Sequence, residues 1–431
     1  MSFSLRRIFL PALGVLGLGV LFSATVAPLE GATTAILGRY THRWFLVNVA
    51  STALWAWLSW VHVFRVRRSA RFGVGVFVAS SLTVIGAGEL ASVAGVSFVE
   101  LLGRRRGLGR EVTSRPLTHW VGELPQDLEV AYGVDAPRLR FDFRTDRFGL
   151  RNAGDHSGAR IVLLGDSLLV GVATPSGEIL SERLGELLGQ GVLNVSEVGN
   201  GPADSLARLE GLGIGLEKRF FVQLVFEGND LADHARWVRT HAPSSHVWRG
   251  AELLTKSAWP DRGLTKAVLG WLEWPKPGLA ARRAGRCRDG LGEDQTVHFF
   301  FDPKLVERDL EMLPRLAGML ADAHAAFAER QSGYAVVFIP TKLSALAHRC
   351  SFSKGSDFFA GGPMRSRFGP LLESLLTARG VPFLDLTLAL ARAADRGPLP
   401  YFSSDTHFTA AGHASAATAV AELLRGIGAL D

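Results

Sequence analysis

The sequence predicts an α/β protein: a three-layer α/β/α sandwich built on a parallel sheet, preceded by an N-terminal segment of transmembrane helices. Three observations carry this. From about residue 136 onward, short apolar β-rich runs alternate with amphipathic helical stretches, as strands covered on both faces require. The first 102 residues are dominated by apolar runs long enough to cross a bilayer. Charge divides the chain the same way: residues 1–110 hold twelve Arg, no Lys and three Glu, a net +9, leaving the other 321 residues at −3 within a total of +6. The basic excess therefore belongs to the apolar segment, and a basic face for nucleic acid is disfavoured on the larger part.

In the membrane segment, the first expected span runs from Ile8 to Leu29 and the second from Trp44 to Phe64, which contains no Asp, Glu, Lys or Arg. The third begins at Phe72; Glu89 interrupts its apolar course to Leu102 and reads as a residue near the exit interface rather than an intramembrane functional carboxylate. Trp44 and Trp60 sit towards opposite ends of the second run, where an aromatic belt belongs. A cytoplasmic N-terminus places Arg6, Arg7, Arg65, Arg67, Arg68 and Arg71 inside, against Arg39 and Arg43 outside. Arg104, Arg105, Arg106 and Arg110 then lie outside and count the other way, although charges beside a long translocated domain weigh less. A cleaved signal peptide is the alternative for the first run, but Pro28 directly follows the small-residue site at Ala27, so the run reads as an uncleaved anchor. Gly14, Gly17 and Gly19 then serve helix packing rather than a nucleotide loop. About three crossings over residues 1–102 put the rest of the chain beyond the membrane. A polar connector follows over 103–135, and a catalytic-type domain fills 136–431.

Strands are expected at 160–164, 192–195, 221–226, 334–339 and 381–384, and helices at 177–189, 203–216, 303–331, 366–379 and 410–425. The long stretch 231–302 contains five of the chain's ten Trp and reads equally as an aromatic cap over a substrate pocket or as a small satellite core. Contact of that stretch with the bilayer surface is a third reading. Cys287 and Cys350 have no CxxC or metal-ligand spacing; an exported domain favours their pairing, and a cytosolic one would keep two thiols.

In a parallel sheet the ligand site forms at the carboxyl ends of the strands. The first strand ends in Gly165–Asp166–Ser167, where Gly permits a tight turn and Ser stands at a helix start with its hydroxyl exposed. Taken alone, this is as well explained as an Asp/Ser helix cap. The second ends in NVSEVGNG, offering the backbone N–H of Gly199, and the third in FEGND, offering the Asn229 amide as an oxyanion donor or an ordinary turn former. Before the last helix, Asp405 and His407 stand in SSDTHF; a His acting as base towards Ser needs such a carboxylate to fix its tautomer. Each piece is weak alone, and four at successive strand ends are not. His234, His241, His246 and His298 lack metal-ligand spacing and read as exposed or hydrogen-bonded; His413 reads as structural. No metal and no cofactor are expected.

The order GDS, NVSEVGN, GND, DTH resembles the SGNH hydrolase superfamily, also called GDSL-type esterases. The similarity spans roughly residues 140–425 and includes FRTDRFGLRN (143–152), similar to a segment ahead of the Ser strand in relatives. It implies an SGNH or flavodoxin-like sandwich, Ser167 as nucleophile, His407 as base, Asp405 as its orienting acid, and Ser167, Gly199 and Asn229 as the oxyanion hole. Two departures stand out: Ser404 sits where many members carry Asp three residues before the His, and Glu227 replaces a glycine beside the expected oxyanion region. The segments FIPTKLSALAH and GVPFLDLTLAL are also similar to the alginate O-acetyltransferase-like branch, in which the Asp–His pair often precedes the Ser; here it follows. The expectation is a membrane-anchored serine esterase with its domain periplasmic or extracellular, acting on an ester or acylated carbohydrate. The alternatives are an O-acyltransferase of cell-surface or exopolysaccharide and a catalytically silent carbohydrate-binding or assembly protein.

Overall fold

A computed structural model of the chain describes residues 116–241, 278–300, 309–359 and 366–430. The expected membrane segment 1–102 lies outside these residues, as do Trp248, Trp259, Trp271 and Trp274 of the Trp-rich stretch. Among the described residues no helix is long and apolar enough to cross a membrane. The chain divides into two compact units, and the site lies in the one formed by Arg105–Trp237 and Trp274–Asp431.

In chain order that unit contains β1 (His119–Leu124), α1 (Asp127–Tyr132), β2 (Leu139–Arg144), β3 (Ile161–Leu164), α2 (Ser167–Val170), α3 (Leu180–Leu188), β4 (Val192–Asn194), α4 (Pro202–Gly211) and β5 (Phe220–Phe226). These are followed by α5 (Asp230–His241), α6 (Leu279–Arg282), β6 (Ala284–Arg288), β7 (Asp294–His298), α7 (Leu313–Ala328), β8 (Gly333–Ile339), α8 (Lys342–Leu346) and β9 (Cys350–Ser351). Last come α9 (Phe368–Thr377), β10 (Phe383–Asp385), α10 (Thr387–Arg396) and α11 (Ala410–Gly426).

The five runs expected as strands form one parallel sheet in the order β10-β8-β5-β3-β4. Successive side chains of a strand point to opposite faces, yet Ile161, Val162, Leu163 and Leu164 of β3 are all buried, as are Tyr334 to Ile339 of β8. Both faces of the sheet are therefore covered. The covering helices form two packed groups, α3 with α11 and α10, and α7 with α9. Each fully buried Leu, Ile or Val contributes about 1.5–3 kcal/mol relative to exposure, so the central strands β3, β5 and β8 anchor the unit.

Element ends differ from expectation for local reasons. Pro314, which has no N–H to donate, stands in the first turn of α7 just after the 3-10 turn Leu310–Met312; the helix start expected at 303 lies outside the described residues. At the other end of α3, Gly189 at φ 64° stops the helix in the left-handed conformation. The stretch expected as connector up to residue 135 is folded from His119 onward: β1 pairs antiparallel with β2, and the N-terminus of α1 bonds to the loop carrying Asp405. The domain boundary expected at 136 cuts through this hairpin. Its period-2 pattern in HWVGEL is obscured because apolar Val121 faces outward and Gly122 stands at an inward position, with Leu124 alone buried.

Within 231–302 the structure adds β6 and β7, which form a small antiparallel sheet with β9. Gly285 and Cys287 of β6 point inward, Arg286 and Arg288 outward. Cys287 lies opposite Cys350 of β9, and the two are disulfide-bonded.

Candidate active site

The turn that carries Ser167 follows from three residues. Gly165 lets β3 end against Leu169, where an added Cβ would stand 3.2 Å from that side chain. Asp166 is extended and caps α2, its carboxylate accepting the Leu168 N–H at 3.0 Å. Gly171 at φ 64° closes the turn by donating its N–H to the Ser167 carbonyl at 3.0 Å. The helix is thus a single turn with a half-buried Ser167 at its start.

FRTDRFGLRN holds this turn in place. Asp146 accepts the N–H groups of Phe148 and Leu150 and the amide of Asn152, which in turn accepts the N–H of Asn194 in β4. Arg151 is fully buried against the Phe143 ring and donates to the carbonyls of Val170, Gly171, Thr174 and Asp142. Burial without a carboxylate in contact lowers its pKa to about 9. Arg151 thereby clamps the segment that follows Ser167.

From the other side comes the loop 402–409. Its base is a bridge between Tyr401 and Phe408, and Thr409 caps α11 by accepting the Gly412 N–H. His407 Nε2 lies 2.9 Å from Ser167 Oγ, and His407 Nδ1 lies 2.6 Å from Asp405 Oδ1. Asp405 Oδ1 also accepts the His407 backbone N–H at 2.9 Å, while Oδ2 accepts the Asp127 N–H at 2.8 Å. Burial opposes ionisation of Asp405, but the His407 imidazole and these hydrogen bonds outweigh it and hold the carboxyl at about 2. Burial likewise opposes the His407 cation, but Asp405, with smaller contributions from Asp127 and Asp166, raises it to about 9.

Ser167, His407 and Asp405 are thus one hydrogen-bonded line. Gly199 and Asn229 lie after β4 and β5, the strands that flank β3, so their loops border the same end of the sheet. Neither hydrogen-bonds to Ser167 or His407. Gly199 sits at φ 79°, which few residues other than glycine adopt. Asn229 donates one amide hydrogen to Asp233 at 2.8 Å, which leaves the second. Glu227, expected beside the oxyanion region, instead points to the end of β8, where it accepts from the Thr341 N–H at 2.6 Å and the Ser344 hydroxyl at 3.0 Å. Glu227 is the first residue after β5, and its N–H donates to the Ile339 carbonyl at 2.9 Å, which ties it to the end of β8.

Several residues escape motif reading. Lys342 is buried, and its ammonium donates to the carbonyls of His298, Phe402 and Ser403, stapling the loop. Burial lowers its pKa to about 8, against the pull of Asp127 and Asp405. Ser404, at the position where relatives carry Asp, bonds to His298 Nδ1 at 2.9 Å. Asp127 meets the loop from α1. The only signal for Lys342 was its place in FIPTKLSALAH, and nothing marked Asp127. His413 is buried and its Nδ1 accepts the Leu180 N–H, a packing role as expected. His234, by contrast, is buried rather than exposed, and its ring nitrogens have no partner. Asp127, Asp405 and His407 also bring ligand-type atoms within 4.8 Å of one another, but Asp405 and His407 are engaged in the hydrogen bonds above and the Asp127 carboxylate accepts from Thr406.

Residues 299–430 match the family described as SGNH hydrolase-like domain, acetyltransferase AlgX. These residues are thus similar to an SGNH hydrolase-like domain, in line with the motif resemblance. The match contains Lys342, Asp405 and His407; Ser167, Gly199 and Asn229 lie upstream of it. Among solved structures, the phospholipase A1 from Streptomyces albidoflavus NA297 is similar with a TM-score of 0.31 and 12% identity, over 62% of this chain and 98% of that one. No curated protein matches the chain.

Proposed function

We propose that the protein is a serine-dependent enzyme of ester bonds that works through Ser167, His407 and Asp405. The observation that carries this reading is the continuous line from Ser167 Oγ through both ring nitrogens of His407 to Asp405. His407 Nε2 accepts the Ser167 proton as Oγ attacks an ester carbonyl, and Asp405 keeps the other nitrogen protonated and offsets the imidazolium charge. N–H groups at Ser167 and Gly199 and the second amide hydrogen of Asn229 are the oxyanion donors, each worth about 3 kcal/mol at the transition state. The alcohol leaves with the proton from His407, and an acceptor then attacks the acyl-Ser167 by the same base assistance. Water as acceptor gives an esterase, the leading reading. A carbohydrate hydroxyl gives an O-acyltransferase, which the family match over 299–430 favours as the second reading.

The apolar runs of residues 1–102 support a membrane anchor, and the Cys287–Cys350 disulfide supports a domain in the periplasm or outside the cell, because disulfides persist in oxidising compartments. The full chain, incubated with p-nitrophenyl acetate with and without an oligosaccharide, is expected to release p-nitrophenol and to be labelled at Ser167 by a fluorophosphonate. Absence of both would sink the enzyme readings. Faster acetyl transfer to the oligosaccharide than to water would replace hydrolysis by transfer.

A further inference from the structure

Asp127 is the residue of α1 that faces the candidate active site, and one side chain with its backbone N–H touches three consecutive residues of the loop. The N–H donates to Asp405 Oδ2, the oxygen that His407 leaves free. Oδ1 accepts the Thr406 N–H at 3.0 Å, and Oδ2 accepts the Thr406 hydroxyl. The same Oδ2 stands 4.0 Å from His407 Nδ1. The neighbours of Asp127 fasten the segment further: the Leu128 N–H donates to the Ser404 carbonyl, and the Gln126 side-chain oxygen accepts the Ser404 N–H. We propose that Asp127 is a positioning residue of the reaction, a second carboxylate that orders the Asp405–Thr406–His407 loop and stabilises His407 once it holds the proton of Ser167. This rests on the Ser–His–Asp reading above.

The charge balance gives the reason. The groups facing Asp127 are Asp405, His407 and Lys342. His407 faces Asp405, Asp127 and Asp166, so three carboxylates favour the imidazolium that proton transfer from Ser167 creates. A neutral residue at 127 removes one of these three charges from a largely buried place, which makes the imidazolium costlier to form. Burial, and then Asp405, push Asp127 up to about 6, against His407 and Lys342, so this charge is present above that pH. Asp127→Asn keeps one oxygen to accept from Thr406 and an unchanged backbone N–H towards Asp405; it removes the charge and one of the two acceptors, and Asp127→Glu restores both.

The test uses the full chain with 13C-labelled His, with His407→Gln to assign the His407 signal, titrated by NMR in wild-type and Asp127→Asn forms. Fluorophosphonate modification of Ser167 is followed over the same pH range. His407 in Asp127→Asn is expected to titrate about one pH unit lower, the rising limb of the Ser167 rate to move with it, and the plateau rate to fall about tenfold. Asp127→Glu, which keeps the charge, is expected to hold the limb at its wild-type pH. A Ser167 that reacts with the same limb and plateau in Asp127→Asn, with His407 titrating as in wild type, would overturn this assignment alone. An unreactive Ser167 in the wild-type chain would overturn the catalytic reading and this one with it.

Discussion

At the scale of single residues, the site is a chain of compensated charges. His407 is a base whose conjugate acid is held at about 9 by Asp405 and its neighbours, against the effect of burial. Only neutral imidazole can accept the Ser167 proton, so kcat/KM is expected to rise with pH through a limb near 9, well above the usual histidine range near 6.5. A pH profile with p-nitrophenyl acetate measures it, and a limb below 7 would contradict the arrangement. Asp405→Asn leaves the shape and removes the charge and the tautomer control; a fall in kcat of about 10⁴-fold is expected from steady-state kinetics. Ser167 and His407 were legible because a base and a nucleophile need few residue types. Asp127 and Lys342 were not, because a side chain that acts through a neighbour in space leaves no spacing in sequence.

At the scale of elements, two short devices hold the nucleophile and the base in register. Arg151 ties four carbonyls around the turn after Ser167. A lysine has one compact ammonium in place of the planar fork and cannot serve all four, so Arg151→Lys is expected to destabilise the protein by about 3 kcal/mol through unpaired buried carbonyls, read by urea unfolding. Thr409 caps α11 two residues after His407, and Thr409→Ala is expected to cost about 1 kcal/mol in the same assay. The five parallel strands and the last helix could be read from apolar runs and periodicity because they are buried. The hairpin β1–β2 and the sheet β6–β7–β9 could not, since their strands are half polar with one face exposed, and β9 joins β6 across a separation of 63 residues.

For the whole molecule, the disulfide closes a separation of 63 residues and joins the Trp-rich stretch to the segment after β8. Chain entropy over a loop of that size corresponds to about 4 kcal/mol, so the Cys287→Ser/Cys350→Ser double variant is expected to unfold at markedly lower urea, with little change in kcat for p-nitrophenyl acetate. A parallel loss of kcat at low denaturant would show that the small sheet shapes the site itself. Net charge belongs at this scale too: +9 on residues 1–110 and −3 on the remainder means that the basic total reports the expected membrane segment and not the substrate.

The sequence by itself determined the parallel-sheet class, and it marked the strand ends and the candidates Ser167, Asp405 and His407, because burial on both faces and acid–base chemistry each impose strong local demands on residue type. Only the tertiary structure decided that Glu227 turns away to Thr341 and Ser344, that Lys342 staples the loop, and that Asp127 reaches it from a stretch expected to be a connector. Those contacts join residues up to 279 positions apart, and a contact at that distance is set by how the elements pack rather than by any pattern along the chain.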